Sequence, residues 1–286
     1  MTRPSQDKLQ PISFQWALAL TFVAWFAEVM LSTMLNPVLT RHGLQPMAAA
    51  SLIRVLCFGG VFSALLHQSG MTYRKLFHDS PSSVAATLGL LGPPILLLVP
   101  LIVLLDGIAM VWLYKLLPLS ASEVTMFETM MGGGIGSWVL VCAIAPMVEE
   151  MFFRGILLRG MLKRYAPADA MVYSAFVFGV AHLNIYQFVI AFPVGLLAAS
   201  LYLRTRSLWP GIVLHAGLNT TVTVMTECKV SAEAGYPLWA WGMAAACGLV
   251  GTVVLRLVLW TPASRLPSEA QASVDAEGSQ PPSDAA

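Results

Sequence analysis

Eight stretches of this chain are apolar for long enough to cross a lipid bilayer, or nearly so: residues 14–36, 48–68, 84–105, 134–162, 168–184, 186–203, 208–226 and 238–259. Inside hydrocarbon every backbone N–H and C=O needs a partner within its own segment, so such runs must be helical. Charge content agrees, because 11% of residues are charged, where a soluble domain carries about 25%. The mean hydropathy is +0.72. The fold class predicted is all-α, a polytopic membrane protein of about eight transmembrane helices.

The segments between and around these runs supply the rest of the organisation. Residues 1–13 read as a cytoplasmic N-terminal tail, and the run after them is too long for a signal-peptide core and lacks a small-residue cleavage site. Residues 14–131 form an N-terminal region of three spans. It ends in a connector, 106–131, whose amphipathic piece "GIAMVWLYKLLP" suits the membrane interface. The run "GGGIG" (132–136) reads as a flexible lead-in to the next helix. Pro93, Pro94, Pro100 and Pro146 should kink their helices. Residues 238–259 are the last span, and the Pro-, Ser- and Ala-rich tail 261–286 should be disordered.

Orientation follows from the basic residues. With the N-terminus inside, eleven lie on inner segments: Arg3, Lys8, Arg74, Lys75, Arg159, Lys163, Arg164, Arg204, Arg206, Arg256 and Arg265. Only Arg41, Lys115 and Lys229 fall outside, so the positive-inside rule puts both termini in the cytoplasm and the protein in the cell (inner) membrane. The net charge of +1, without a basic cluster, excludes nucleic acid as a partner. Cys57, Cys142, Cys228 and Cys247 form no CxxC pair and read as small packing residues.

Five charges remain within the spans: Glu28, Arg54, Glu149, Glu150 and Arg154. Each is costly at mid-bilayer, about 2.5–3.5 kcal/mol even on lenient scales, and needs a partner or a task. Glu28 and Arg54 lie at similar depth on the first two helices and read as an inter-helix ion pair, with substrate binding as the alternative. In "APMVEEMFFRG", Glu150 and Arg154 are i and i+4 in the favourable order and form a pair on one face. Glu149 points about 100° away and is left over. Later helices offer His182 in "FVFGVAHLN", and His215 with Asn219 in "HAGLN".

Three chemistries fit these residues. Glu149 can be a general base that activates water with His182, while His215 and Asn219 stabilise an oxyanion. Two His and one Glu can bind zinc, although no HExxH pair supports it. The group can also be a polar network that only fixes helix packing.

The motifs "EEMFFR" (EExxxR), "FGVAH" (FxxxH) and "HAGLN" (HxxxN) occur in the order found in a known family. The stretch "GLLAASLYLRTRSLWPGIVLHAGLN" is similar as well. Residues 134–226 resemble the CAAX protease and bacteriocin-processing family of glutamic intramembrane proteases, which includes the type II CAAX prenyl endopeptidases. The first three spans and the tail carry no such likeness. The resemblance implies that Glu149, His182, His215 and Asn219 are catalytic and that Glu150 and Arg154 are a supporting ion pair. It also implies a metal-independent reaction needing no cofactor. The partners it implies are the lipid bilayer and a membrane-associated, prenylated or sorting-tagged protein or peptide, cut by a glutamate-activated water. A non-proteolytic scaffold or immunity-type protein on the same fold is the alternative. A transporter is a weaker one, because the first half repeats none of these motifs. Water must reach Glu149, about ten residues and roughly 15 Å from Arg159, so the site is expected to open toward the cytoplasmic end.

Overall fold

The computed structural model describes residues 8–132, 134–230, 232 and 235–260. The tail 261–286, most of the N-terminal tail and Gly133 therefore lie outside the described residues. The helices are α1 (Phe14–Arg41), α2 (Pro46–Ser69), a short α3 (Tyr73–Phe77), α4 (Val84–Leu116) and α5 (Ala121–Gly132). They continue with α6 (Ile135–Met161), α7 (Pro167–Val180), α8 (Ile185–Thr205), α9 (Trp209–Glu227) and α10 (Leu238–Trp260). Among the described residues the structure is helical throughout, apart from one isolated bridge between His78 and Ser207. Each of the eight apolar runs becomes a helix. Six of these, α1, α2, α4, α6, α8 and α10, are long and apolar enough to cross a membrane.

Local sequence explains the boundaries. The hydroxyls of Ser13 and Ser83 accept from the Trp16 and Ala86 N–H groups and start α1 and α4, while Pro46 and Pro167 sit in the first turns of α2 and α7. α4 runs unbroken through Pro93, Pro94 and Pro100 and extends to Leu116. The amphipathic piece expected along the interface thus continues a 33-residue helix. It does so because no breaker intervenes before Pro118, which pushes Leu117 out of the helical region. Outward-facing large apolar residues such as Phe22 and Trp25 on α1, and Leu249 and Leu257 on α10, form a surface suited to lipid.

One end of the bundle is stitched together by the chain itself. Lys8 N–H donates to Ser69 C=O, Ile12 N–H to Gly160 C=O, Leu208 N–H to Phe77 C=O and Asp79 N–H to Arg206 C=O. Arg159 pairs with Asp79 at this end. A side chain at Gly160 would begin 2.5 Å from Ile12, so the close crossing requires glycine. Two apolar cores rise from here. One surrounds α6, with Phe152, Phe153, Ile156 and Leu158 at its heart. The other joins α4 to α8, α9 and α10 through Leu91, Ile95, Leu201 and Leu255.

Candidate active site

The helix that carries the glutamates is not a uniform α-helix. Leu140–Ile144 and Met151–Leu158 are wide π-helical turns, on either side of Ala145–Glu150. In the first, the Ala145 N–H bonds to Leu140 C=O, five residues back. Pro146 has no N–H, so Val141 C=O has no donor from either the i+4 or the i+5 position. The Asn219 amide of α9 supplies one, Nδ2 to Val141 O at 2.8 Å. The kink expected at Pro146 is therefore realised as a wide turn closed by a side chain from another helix.

Glu150 points into the core. It accepts from Arg154 Nη1 at 2.8 Å, and Arg154 Nη2 donates to Gly195 C=O at 3.1 Å. The guanidinium lies 4.4 Å from the Phe178 ring centre, a stacked cation–π contact. α9 passes close to this pair at Gly211, where an added Cβ would stand 2.5 Å from Glu150 Oε2. The i,i+4 pair read from the sequence is present and is buried.

Glu149 points into a cavity instead. Its Oε1 accepts from Arg54 Nη1 at 3.3 Å, and Arg54 Nε donates to Glu28 Oε1 at 2.8 Å. The ion pair expected between α1 and α2 exists, and it reaches across to α6. Glu149 Oε2 is buried without a hydrogen bond, 3.8 Å from His215 Nε2. On its other side His215 Nδ1 lies 3.7 Å from Glu150 Oε1.

His182 sits where α7 ends. That helix has 14 residues and is about 21 Å long, short of a hydrocarbon core of about 30 Å. The chain turns at Leu183, which has φ +52, and the Asn184 side chain caps α8 by accepting from the Tyr186 and Gln187 N–H groups. His182 Nδ1 lies 2.9 Å from Phe178 C=O, which can only accept, so Nδ1 carries the proton and Nε2 holds a lone pair in the neutral ring. Phe178 also packs edge-on against His215, so one aromatic ring holds both imidazoles.

These side chains meet at one cavity of about 450 Å³, lined by Glu28, Arg54, Glu149, His182, His215 and Asn219 among others. His182 shares this space with Glu149 rather than pairing with it directly. Arg54 is the contact the sequence reading missed, since it treated Glu28 and Arg54 as a pair apart. Gln187, which also lines the cavity, was missed too; the signal was present in Asn184 and Gln187, spaced as a capping box. Among the described residues no group of three His, Cys, Asp or Glu could hold a metal ion, and all four cysteines are free.

Toward Arg159, the expected side of the opening, the first cavity reaches Thr21, Phe58 and Phe152. Below the glutamates, Leu76, Ile156, Leu158, Met161 and Leu208 are fully packed. A second cavity, of about 400 Å³, shares His182, Gln187, His215 and Asn219 with the first and extends to Tyr114, Tyr186 and Thr226 at the opposite end. Space lies on that side because α7 stops short, whereas α6 and α4 do not.

Comparison with known proteins falls on the same helices. Residues 132–221 match the family model described as type II CAAX prenyl endopeptidase, Rce1-like, a match shorter than half of the chain. It covers α6, α7, α8 and most of α9, the helices that carry the three motifs. The Bacillus subtilis (strain 168) protein YdiL, provisionally named a membrane peptidase, is 29% identical over 82 residues. That stretch is 29% of this chain and 34% of the relative, so the chain matches about a third of that protein's length. No solved structure matches the chain. The findings support the likeness to the CAAX protease family and, at family level, a membrane protease.

Proposed function

We propose that the chain is an intramembrane endopeptidase in which Glu149 activates the hydrolytic water without a metal. The observation that carries this reading is Glu149 Oε2, buried, without a hydrogen bond, and facing a cavity that also holds His182, His215 and Asn219. Buried polar atoms are rarely left unpaired, and those that are call for a missing partner. A water bound there would be shared with His182 Nε2, whose lone pair is free to accept.

In this mechanism the water oxygen attacks the scissile carbonyl while its proton passes to Glu149. The oxyanion forms beside His215 Nε2–H and the second N–H of the Asn219 amide, whose first is fixed by Val141. Glu149 then returns the proton to the departing amine as the C–N bond breaks. Arg54, which donates to Oε1, fixes which oxygen faces the water. Glu150 and Arg154 hold the helix rather than the substrate. The substrate is a peptide segment of a membrane-associated, prenylated or sorting-tagged protein. Both termini lie in the cytoplasm, a reading supported by the basic residues at the Ser69–Gly160–Arg206 end.

The scaffold reading has one observation on its side: Arg54 ties both Glu28 and Glu149, as a structural network between helices would. Terminal-peptide mass spectrometry separates the two, on membranes from cells making the wild type or Glu149→Gln, with and without a chelator. New protein ends confined to the wild type and insensitive to the chelator are the expected result. Identical ends in both strains favour the scaffold, and loss of the ends with chelator restores the metal reading.

A further inference from the structure

The second cavity has a feature that water activation does not use. Its lining is aromatic and aliphatic, with Met110, Tyr114, Phe127, Tyr186 and Ile190, and among the described residues it contains a single formally charged one, Asp106 of α4. Asp106 Oδ1 is buried without a hydrogen bond. The nearby hydroxyls do not serve it. Tyr186 OH donates to Leu117 C=O at 2.6 Å, and Tyr236 OH lies against Gly107 without bonding to the carboxylate. Among the described residues no Lys or Arg lines the cavity.

The wall shared by the two cavities is His182, Gln187, His215 and Asn219, so whatever fills the second one lies directly beside the reacting centre. A lipid chain or an apolar side chain would complete the burial of Asp106 and leave its oxygen unpaired, the most costly arrangement for a carboxylate. A long side chain ending in a cation would place its methylene stem on the apolar lining and its charge on Asp106. The rings of Tyr114 and Tyr186, packed at 5.2 Å, line the same cavity and suit a methylene stem. We propose that this cavity is a specificity pocket for a basic side chain, Lys or Arg, next to the scissile bond, with Asp106 as the residue that selects it. Its part in choosing a cleavage site rests on the proteolytic reading; its affinity for an alkylammonium group does not.

Two measurements on the purified full-length protein separate these. In the first, thermal stabilisation by n-hexylammonium is compared with that by n-hexanol. The amine is expected to bind the wild type and Asp106→Glu, and to lose at least about tenfold in apparent affinity with Asp106→Asn. The alcohol should bind all three alike. Equal behaviour of amine and alcohol in the wild type, or full amine binding by Asp106→Asn, overturns the pocket. In the second, the protein in liposomes is given a defined mixture of synthetic peptides and the cut sites are read by mass spectrometry. Cuts should cluster beside Lys or Arg, and Asp106→Asn should erase that preference while still cutting. Cutting without a basic preference overturns the selection role and leaves the protease standing. Amine binding that depends on Asp106, with no peptide cut by the wild type, overturns the protease reading and keeps the cation pocket.

Discussion

Glu149 and Glu150 are consecutive residues on one helix, yet they belong to ion-pair systems of opposite character. Glu150 and Arg154 are each 1% exposed, within one helix, and have no room for solvent. Glu149, Arg54 and Glu28 come from three helices and are 19%, 28% and 19% exposed, around a cavity. The first is the kind of pair whose loss strands a charge in the core. The second can exchange a contact with water at little cost. What separates them is a helical rotation of about 100°, which sends one carboxylate to the packed side of α6 and its neighbour to the open side. An acid locked in the core and an acid open to a cavity can therefore be adjacent in sequence, provided that packing tells them apart.

That contrast can be broken in four ways. Glu149→Gln removes the charge but not the shape, so proteolysis should fall about 10²–10⁴-fold while the melting temperature stays near wild type. A stability loss as large as that of a core mutant would mean the two systems are alike. Arg154→Ala should do the reverse, destabilising by about 3–5 kcal/mol because Glu150 is left buried and uncompensated; thermal unfolding in detergent reads this directly. Gly211→Ala presses a methyl group toward Glu150 and should cost about 1–3 kcal/mol. A neutral result there would mean that α9 moves aside easily. Arg54→Gln leaves Glu28 and Glu149 without their cation but open to cavity water, and should cost about 1–3 kcal/mol in stability. Its signature is kinetic: a lower kcat, about fivefold, with KM unchanged. A KM effect alone would move Arg54 from orienting Glu149 to binding substrate.

How much of this could be read from the sequence depends on how local each interaction is. The Glu150–Arg154 pair is one helical turn long, and the i,i+4 spacing reveals it. The eight apolar runs reveal their helices because bilayer chemistry leaves no other choice. Arg54 and Glu149 are 95 positions apart, and nothing in either segment announces the other. The second cavity was equally hidden. It depends on α7 ending at Val180 although the apolar run continues, a stop set by the Asn184 cap and the left-handed Leu183. The prolines gave half of the answer. Pro146 did mark a distortion, but the wide turn requires Asn219, 73 residues further on, to take the carbonyl that Pro146 cannot serve.

The wide turns that bracket the glutamates also decide where the site is sensitive to chain length. A π turn holds one residue beyond the α-helical count. Deleting any one residue from Leu140–Ile144 would let α6 close into regular pitch without breaking. Because the wide turn absorbs the extra residue, the turns on either side would keep their phase, whereas a deletion at Val139, in the regular turn, would rotate everything before it by about 100° relative to Glu149. Trp138, whose indole now donates to Glu227 at 2.6 Å, would swing off α9. Such a deletion leaves EExxxR, FxxxH and HxxxN fully spelled out. Two chains with identical motifs can thus differ in how the start of that helix meets α9, and segment length, rather than the motif letters, is the character to compare.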